Sequence, residues 1–143
     1  MPITVSGTGA KEKKIKPKTR AELASSRERA LLCAREAFRF KALDIVVLDI
    51  SGFSSFADYF IICSGNSSRQ VQGIADNLED MLREKGLKPL GVEGKREGHW
   101  VLMDYADVII QIFYEPVRSF YDLESLWADA PQLKWGEDQS GDL

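Results

Sequence analysis

Residues 59–86 read YFIICSGNSSRQVQGIADNLEDMLREKG, and this stretch decides the fold. Tyr59 to Cys63 is an aromatic and β-branched run of strand length. Ser64, Gly65 and Asn66 form a turn. Ser67 is then placed as a helix N-cap, and Gln70, three residues on, completes a capping-box pattern. Val71, Ile74, Leu78, Met81 and Leu82 recur at helical spacing on one face. Gly86 is placed to stop that helix in the left-handed conformation, where a missing Cβ costs nothing. A strand feeding a helix that must return to further strands allows a parallel or mixed pairing.

Upstream, Asp44 to Ile50 (DIVVLDI) predicts a buried strand that Ser51-Gly52 breaks. Before it, a helix is expected over about 21–40, with Leu23, Ala30, Leu31, Ala34 and Phe38 able to share a face. Downstream, Lys88 to Glu93 predicts a short strand, and residues 94–98 a polar turn of hairpin length. Trp100 to Tyr105 (WVLMDY) and Val108 to Tyr114 (VIIQIFY) predict two more strands, reversing at Ala106-Asp107. Pro116 suits a helix start, with Phe120, Leu123, Leu126 and Trp127 expected on its inner face and Pro131 ending it. The expected order is α-β-β-α-β-β-β-α. That is an α/β fold in which one mixed five-stranded sheet is flanked by helices.

Charge divides the chain into three parts. Residues 1–20 hold six Lys and Arg against Glu12 alone, a local +5, and read as a disordered basic arm. Residues 131–143 read as an acidic C-terminal tail, with −3 concentrated in 137–143. Residues 21–130 read as a single domain, and by difference residues 21–136 carry −5. An acidic body is a poor phosphate-backbone binder and suits a basic protein partner better. No DNA binding is expected, and at most a weak contact of the arm with RNA. No apolar run approaches the roughly 18 residues a membrane helix needs, so no membrane partner is expected. The N-terminus has neither a signal h-region nor transit-peptide character, which points to the cytoplasm.

Catalytic patterns are weak. Cys33 and Cys63 fall in apolar helix and strand patterns and read as reduced packing residues. His99 is the lone histidine, so neither a multi-histidine metal site nor a supported triad is expected. The Gly65–Arg69 turn has the place of an anion-binding loop, yet lacks a Walker sequence and convergent carboxylates. Plain capping is the expected role, with no cofactor, no metal and no catalytic residue. Alternation places Trp100, Leu102 and Asp104 on one side of their strand and Val101, Met103 and Tyr105 on the other. Both sides are apolar. The pattern leaves open whether Trp100 is core under a helix or part of an exposed protein-binding patch.

The run from Asp44 to Trp127 resembles the Iojap, or ribosomal silencing factor, family. The blocks that carry the resemblance are residues 49–52 (DISG), 57–71 (ADYFIICSGNSSRQV), 89–94 (PLGVEG), 100–105 (WVLMDY), 107–110 (DVII) and 121–127 (YDLESLW). The resemblance implies a nucleotidyltransferase-like sheet without the catalytic acids. It also implies binding to the large ribosomal subunit through its fourteenth protein. The bound factor would block joining of the small subunit and repress translation under nutrient limitation. A homodimer is implied for the free protein. Carried over residue by residue, partner binding falls to Trp100, Leu102, Asp104, Tyr105, Asp107 and Val108, with Trp100 as the anchor and the two acids facing basic groups. The chain departs from the pattern at Gln111, where many members carry His. The competing readings are a large-subunit assembly factor and, more remotely, a nucleotide-binding nucleotidyltransferase-like enzyme using the Gly65 turn.

Overall fold

The structure is a computed structural model that describes residues 20–136, with side chains of the first helix described from residue 25 on. The basic arm to residue 19 and the acids of 137–143 lie outside the described residues. The elements are α1 (Arg20–Arg39), β1 (Leu43–Asp49), β2 (Tyr59–Gly65), α2 (Ser68–Glu84), β3 (Gly91–Glu93), β4 (Trp100–Tyr105), β5 (Val108–Tyr114), α3 (Glu115–Tyr121), α4 (Leu123–Leu126) and β6 (Gln132–Leu133). The strands form one sheet in the order β3-β4-β5-β2-β1-β6. The β2–β5 pair is parallel and the other pairs are antiparallel.

The local signals in residues 59–86 act as their chemistry dictates. The Ser67 side chain accepts from the Gln70 N–H at 3.0 Å, and Gln70 Oε1 accepts from the Asn66 N–H at 2.5 Å. Gly86 ends the helix at φ +87°, and the Leu87 N–H returns to the Leu82 carbonyl at 2.8 Å. All seven residues of β2 are buried, which is why that strand is apolar on both sides. One sheet face, with Ile61, Cys63, Val101, Met103, Ile110 and Ile112, packs under α1 and α2. Helix α1 presents Ala30, Cys33, Ala34 and Ala37, small residues that let its backbone lie close to the sheet. Phe38, expected on that face, is half exposed and leans on Trp135 at a centroid distance of 5.5 Å.

Two features correct the sequence reading. The sheet has six strands, not five, and the sixth comes from the segment read as tail. Gln132 and Leu133 pair with Leu48 and Val47, and buried Trp135 donates from Nε1 to the Ile45 carbonyl at 3.1 Å. A two-residue strand is too short to leave a periodic signal. The single C-terminal helix is instead two short ones, broken at Asp122, whose backbone is left-handed at φ 48° and ψ 50°. The break resets the helical phase. Val117, Leu123 and Trp127 face the sheet, while Phe120 and Leu126, expected inside, are 79% and 76% exposed.

Candidate functional site

The two sheet faces are covered unequally. The face away from α1 and α2 carries Phe60 and Ile62 from β2, Trp100 and Leu102 from β4, and Ile109 and Phe113 from β5. Its cover is only the short α3–α4 segment. Arg118, on α3, pins that segment down: its guanidinium donates to Ser64 Oγ at 2.7 Å and pairs with Glu124 at 2.8 Å. A buried cation with both partners in place fixes the segment where apolar area alone would hold it loosely.

Trp100 opens β4 at the edge of this cover. Its ring stacks on Phe113 at 4.8 Å between centroids and meets Tyr121 at 5.0 Å. Its Nε1–H donates to Gln111 Oε1 at 2.8 Å. Tyr121 is 52% exposed and Phe120 packs edge-on against it at 5.0 Å. Trp100, Tyr121 and Phe120 therefore form a contiguous aromatic surface that is packed on the inside and open outside. This is the composition that supplies binding energy at protein interfaces, with large rings fixed at low entropic cost.

The six expected site residues do not converge on that surface. Trp100, Leu102 and Asp104 share its face, with Leu102 buried and Trp100 and Asp104 half-buried. Tyr105 and Val108 pair across the hairpin and point into the opposite core, under the long helices. Burial there pushes the Tyr105 hydroxyl well above its usual pKa. Asp107 lies at the turn, where its carboxylate is bound by Arg29 of α1 at 2.6 Å. Asp104 accepts the Ala106 N–H through Oδ1 at 2.8 Å, bracing a turn in which Ala106 sits at φ +72°. Tyr121 and Phe120 were missed. A continuous helix cannot present Phe120 and Leu126 outward while burying Leu123, and only the break at Asp122 reveals the surface.

Elsewhere the chemistry is muted. Burial pushes the thiols of Cys33 and Cys63 up to about 12, against the opposing pull of Arg29 and Arg118, so both stay protonated at neutral pH. At the Gly65 turn the free N–H groups of Asn66 and Gln70 are taken by side chains of the capping box. Asp76, on α2, is bound to Lys95 at 2.9 Å, while Asp104 and Asp107 belong to the β4–β5 hairpin. Among the described residues no group of three or more His, Cys, Asp and Glu is placed to hold a metal ion. No helix among them is long and apolar enough to cross a membrane.

Residues 23–142 match the family model described as Ribosomal silencing factor during starvation. A Bacillus subtilis protein named Ribosomal silencing factor RsfS is 46% identical over 101 residues, covering 69% of this chain and 86% of that protein. The chloroplastic protein Iojap of Arabidopsis thaliana is 34% identical over 112 residues, covering 78% of this chain and 47% of that protein. A crystal structure from Bacillus halodurans matches with a TM-score of 0.67 at 36% identity, covering 76% of this chain and 98% of that one.

Proposed function

The chain belongs to the ribosomal silencing factor family, and from that premise we propose that it binds the large ribosomal subunit and sterically keeps the small subunit from joining it. It acts by occupancy, without turnover or cofactor, in the cytoplasm, and represses translation when nutrients are short. The partner is a ribosomal protein, the fourteenth of the large-subunit set. The observation that carries the reading is Trp100, held between Phe113 and Tyr121 at the open end of an otherwise covered sheet face. The Asp104 carboxylate on the same strand face adds negative charge that a basic partner would meet. The acidic body, at −5 over residues 21–136, favours such a partner over bare RNA. In the free protein a second copy covers the aromatic surface, giving a homodimer that gives way to the ribosomal contact.

The test is cosedimentation on sucrose gradients with purified subunits. Wild type is expected to travel with the large subunit and to reduce coupled ribosomes. Trp100→Ala should keep the fold, by circular dichroism, and weaken binding by about 2–4 kcal/mol, as loss of an aromatic anchor does. Wild type that stays at the top of the gradient at physiological salt would sink the reading. Normal subunit joining, with precursor large subunits accumulating on depletion, would move the assignment to assembly on the same surface.

A further inference from the structure

Gln111 is 0% exposed and sits in the middle of β5, on the same face as Trp100. Cross-strand pairing sets Trp100 opposite Phe113 and Leu102 opposite Gln111, so the amide is the diagonal neighbour of the indole. Its Oε1 accepts the Trp100 Nε1–H at 2.8 Å, while its Nε2 has no partner among the described residues. A methionine of similar volume would fill the same space and remove the unpaired Nε2, but it would also take away the acceptor of the half-buried Trp100 N–H, so what the amide contributes here is directed at the indole.

The ring contacts explain what the amide adds. Phe113 and Tyr121 hold the plane of the indole, one on each contact, at interplanar angles of 30° and 47°. Turning the indole over about its Cβ–Cγ bond keeps its plane but exchanges the positions of its benzo ring and its N–H edge, so ring contacts and hydrogen bond both bear on the orientation. The hydrogen bond adds a directional preference, because the turned ring would carry the N–H away from Oε1, the acceptor it now has. We infer that Gln111 is a positioning residue for partner binding: it locks Trp100 in one of its two ring orientations, so that the anchor is preorganised before the partner arrives. The inference rests on the reading of Trp100 as the anchor. Removing the acceptor should let the ring sample both orientations, and binding must then restore the order that was lost.

The experiment compares wild type with Gln111→Met and Gln111→His, labelled with fluorotryptophan, by fluorine NMR and by titration against large subunits. The Trp100 resonance is identified from its absence in Trp100→Phe. Wild type should give one sharp Trp100 line. Gln111→Met should melt near the wild-type temperature, split or broaden that line, and bind about three- to tenfold more weakly. Gln111→His, which as neutral imidazole keeps an acceptor nitrogen, should restore the single line and the affinity at pH 8. Benzothienylalanine at position 100 keeps the ring shape and removes the N–H, so it should show the same loss of affinity whether or not Gln111→Met folds. If both substitutions bind as wild type does, with one sharp line in Gln111→Met, the positioning role is overturned while the anchor reading stands. Failure of wild type itself to bind large subunits removes the anchor reading instead.

Discussion

At the scale of single residues, the turn contact of Asp104 and the partner contact proposed for it can be separated by one substitution. Oδ1 closes the β4–β5 turn by accepting the Ala106 N–H, and the net charge of the carboxylate faces the proposed partner. Asn keeps an oxygen for the turn and removes the charge, whereas Ala removes both. Asp104→Asn should melt close to wild type, bind large subunits more weakly, and lose part of the salt dependence of binding. Asp104→Ala should in addition lose about 1 kcal/mol of stability for the unmet turn amide. Thermal melts and titrations at two salt concentrations check this. Equal binding by Asn and wild type would leave Asp104 with the turn alone. Asp107 differs at this scale because Arg29 already binds its carboxylate, so its substitution disturbs the seat of α1 before any partner is involved.

At the scale of elements, the turn after β3 is fastened to α2. Lys95 reaches Glu79 at 3.0 Å and Asp76 at 2.9 Å, and Gln72 donates to the carbonyls of Lys95 and Arg96. At Gly94, φ is +84° and an added Cβ would lie 2.0 Å from the Trp100 carbonyl oxygen, so the turn and the start of β4 can lie this close only without a side chain. Hydrogen bonding from Lys95 leads in holding the Glu79 carboxyl below its usual range, with Arg83 adding to it and partial burial opposing. A carboxylate whose folded pKa is depressed adds stability above its unfolded pKa of about 4.3 and loses it as pH falls through the folded value. Glu79→Gln should therefore cost about 0.5 kcal/mol at pH 7, and the gap should shrink steadily as pH falls below about 4, read from urea unfolding. A gap that does not change with pH would assign the effect to packing. The strands on either side of the Ala106-Asp107 turn show what sequence can carry: β4 and β5 fall where Trp100–Tyr105 and Val108–Tyr114 were expected, because a tight turn joins two full-length apolar runs. The break at Asp122 was not legible, since its left-handed backbone is a tertiary outcome that an Asp permits without announcing.

At the scale of the molecule, the sheet closes with a strand that no pattern signalled. Val47 and Leu48 lie at positions read as a buried strand, yet the residues that cover their outer edge, Gln132 and Leu133, lie more than eighty positions away. The Arg29–Asp107 pair spans 78 positions and is equally silent in sequence. The mixed α/β class, the element order as far as β5 and the face shared by Trp100, Leu102 and Asp104 were legible from the sequence pattern. Burial of Tyr105 and Val108 under helices, and exposure of Tyr121, depended on which elements cover which face. Trp135→Ala should cost about 3 kcal/mol by emptying a buried aromatic site and should speed hydrogen exchange along β1. Binding of large subunits should persist while the protein stays folded, because β6 is at the sheet edge opposite β3 and β4. Unchanged stability would mean that β6 is not part of the folded unit. The central parallel ladder has a further consequence, in time. From Tyr59 with Val108 to Gly65 with Tyr114, each residue of β2 waits for a partner 49 positions downstream. Contacts this non-local slow the search, placing refolding among mixed sheet domains and well below helical bundles in rate. Until β5 arrives, the apolar residues of β2 have one edge open, and that interval is when chains of this sequence are most prone to find one another instead.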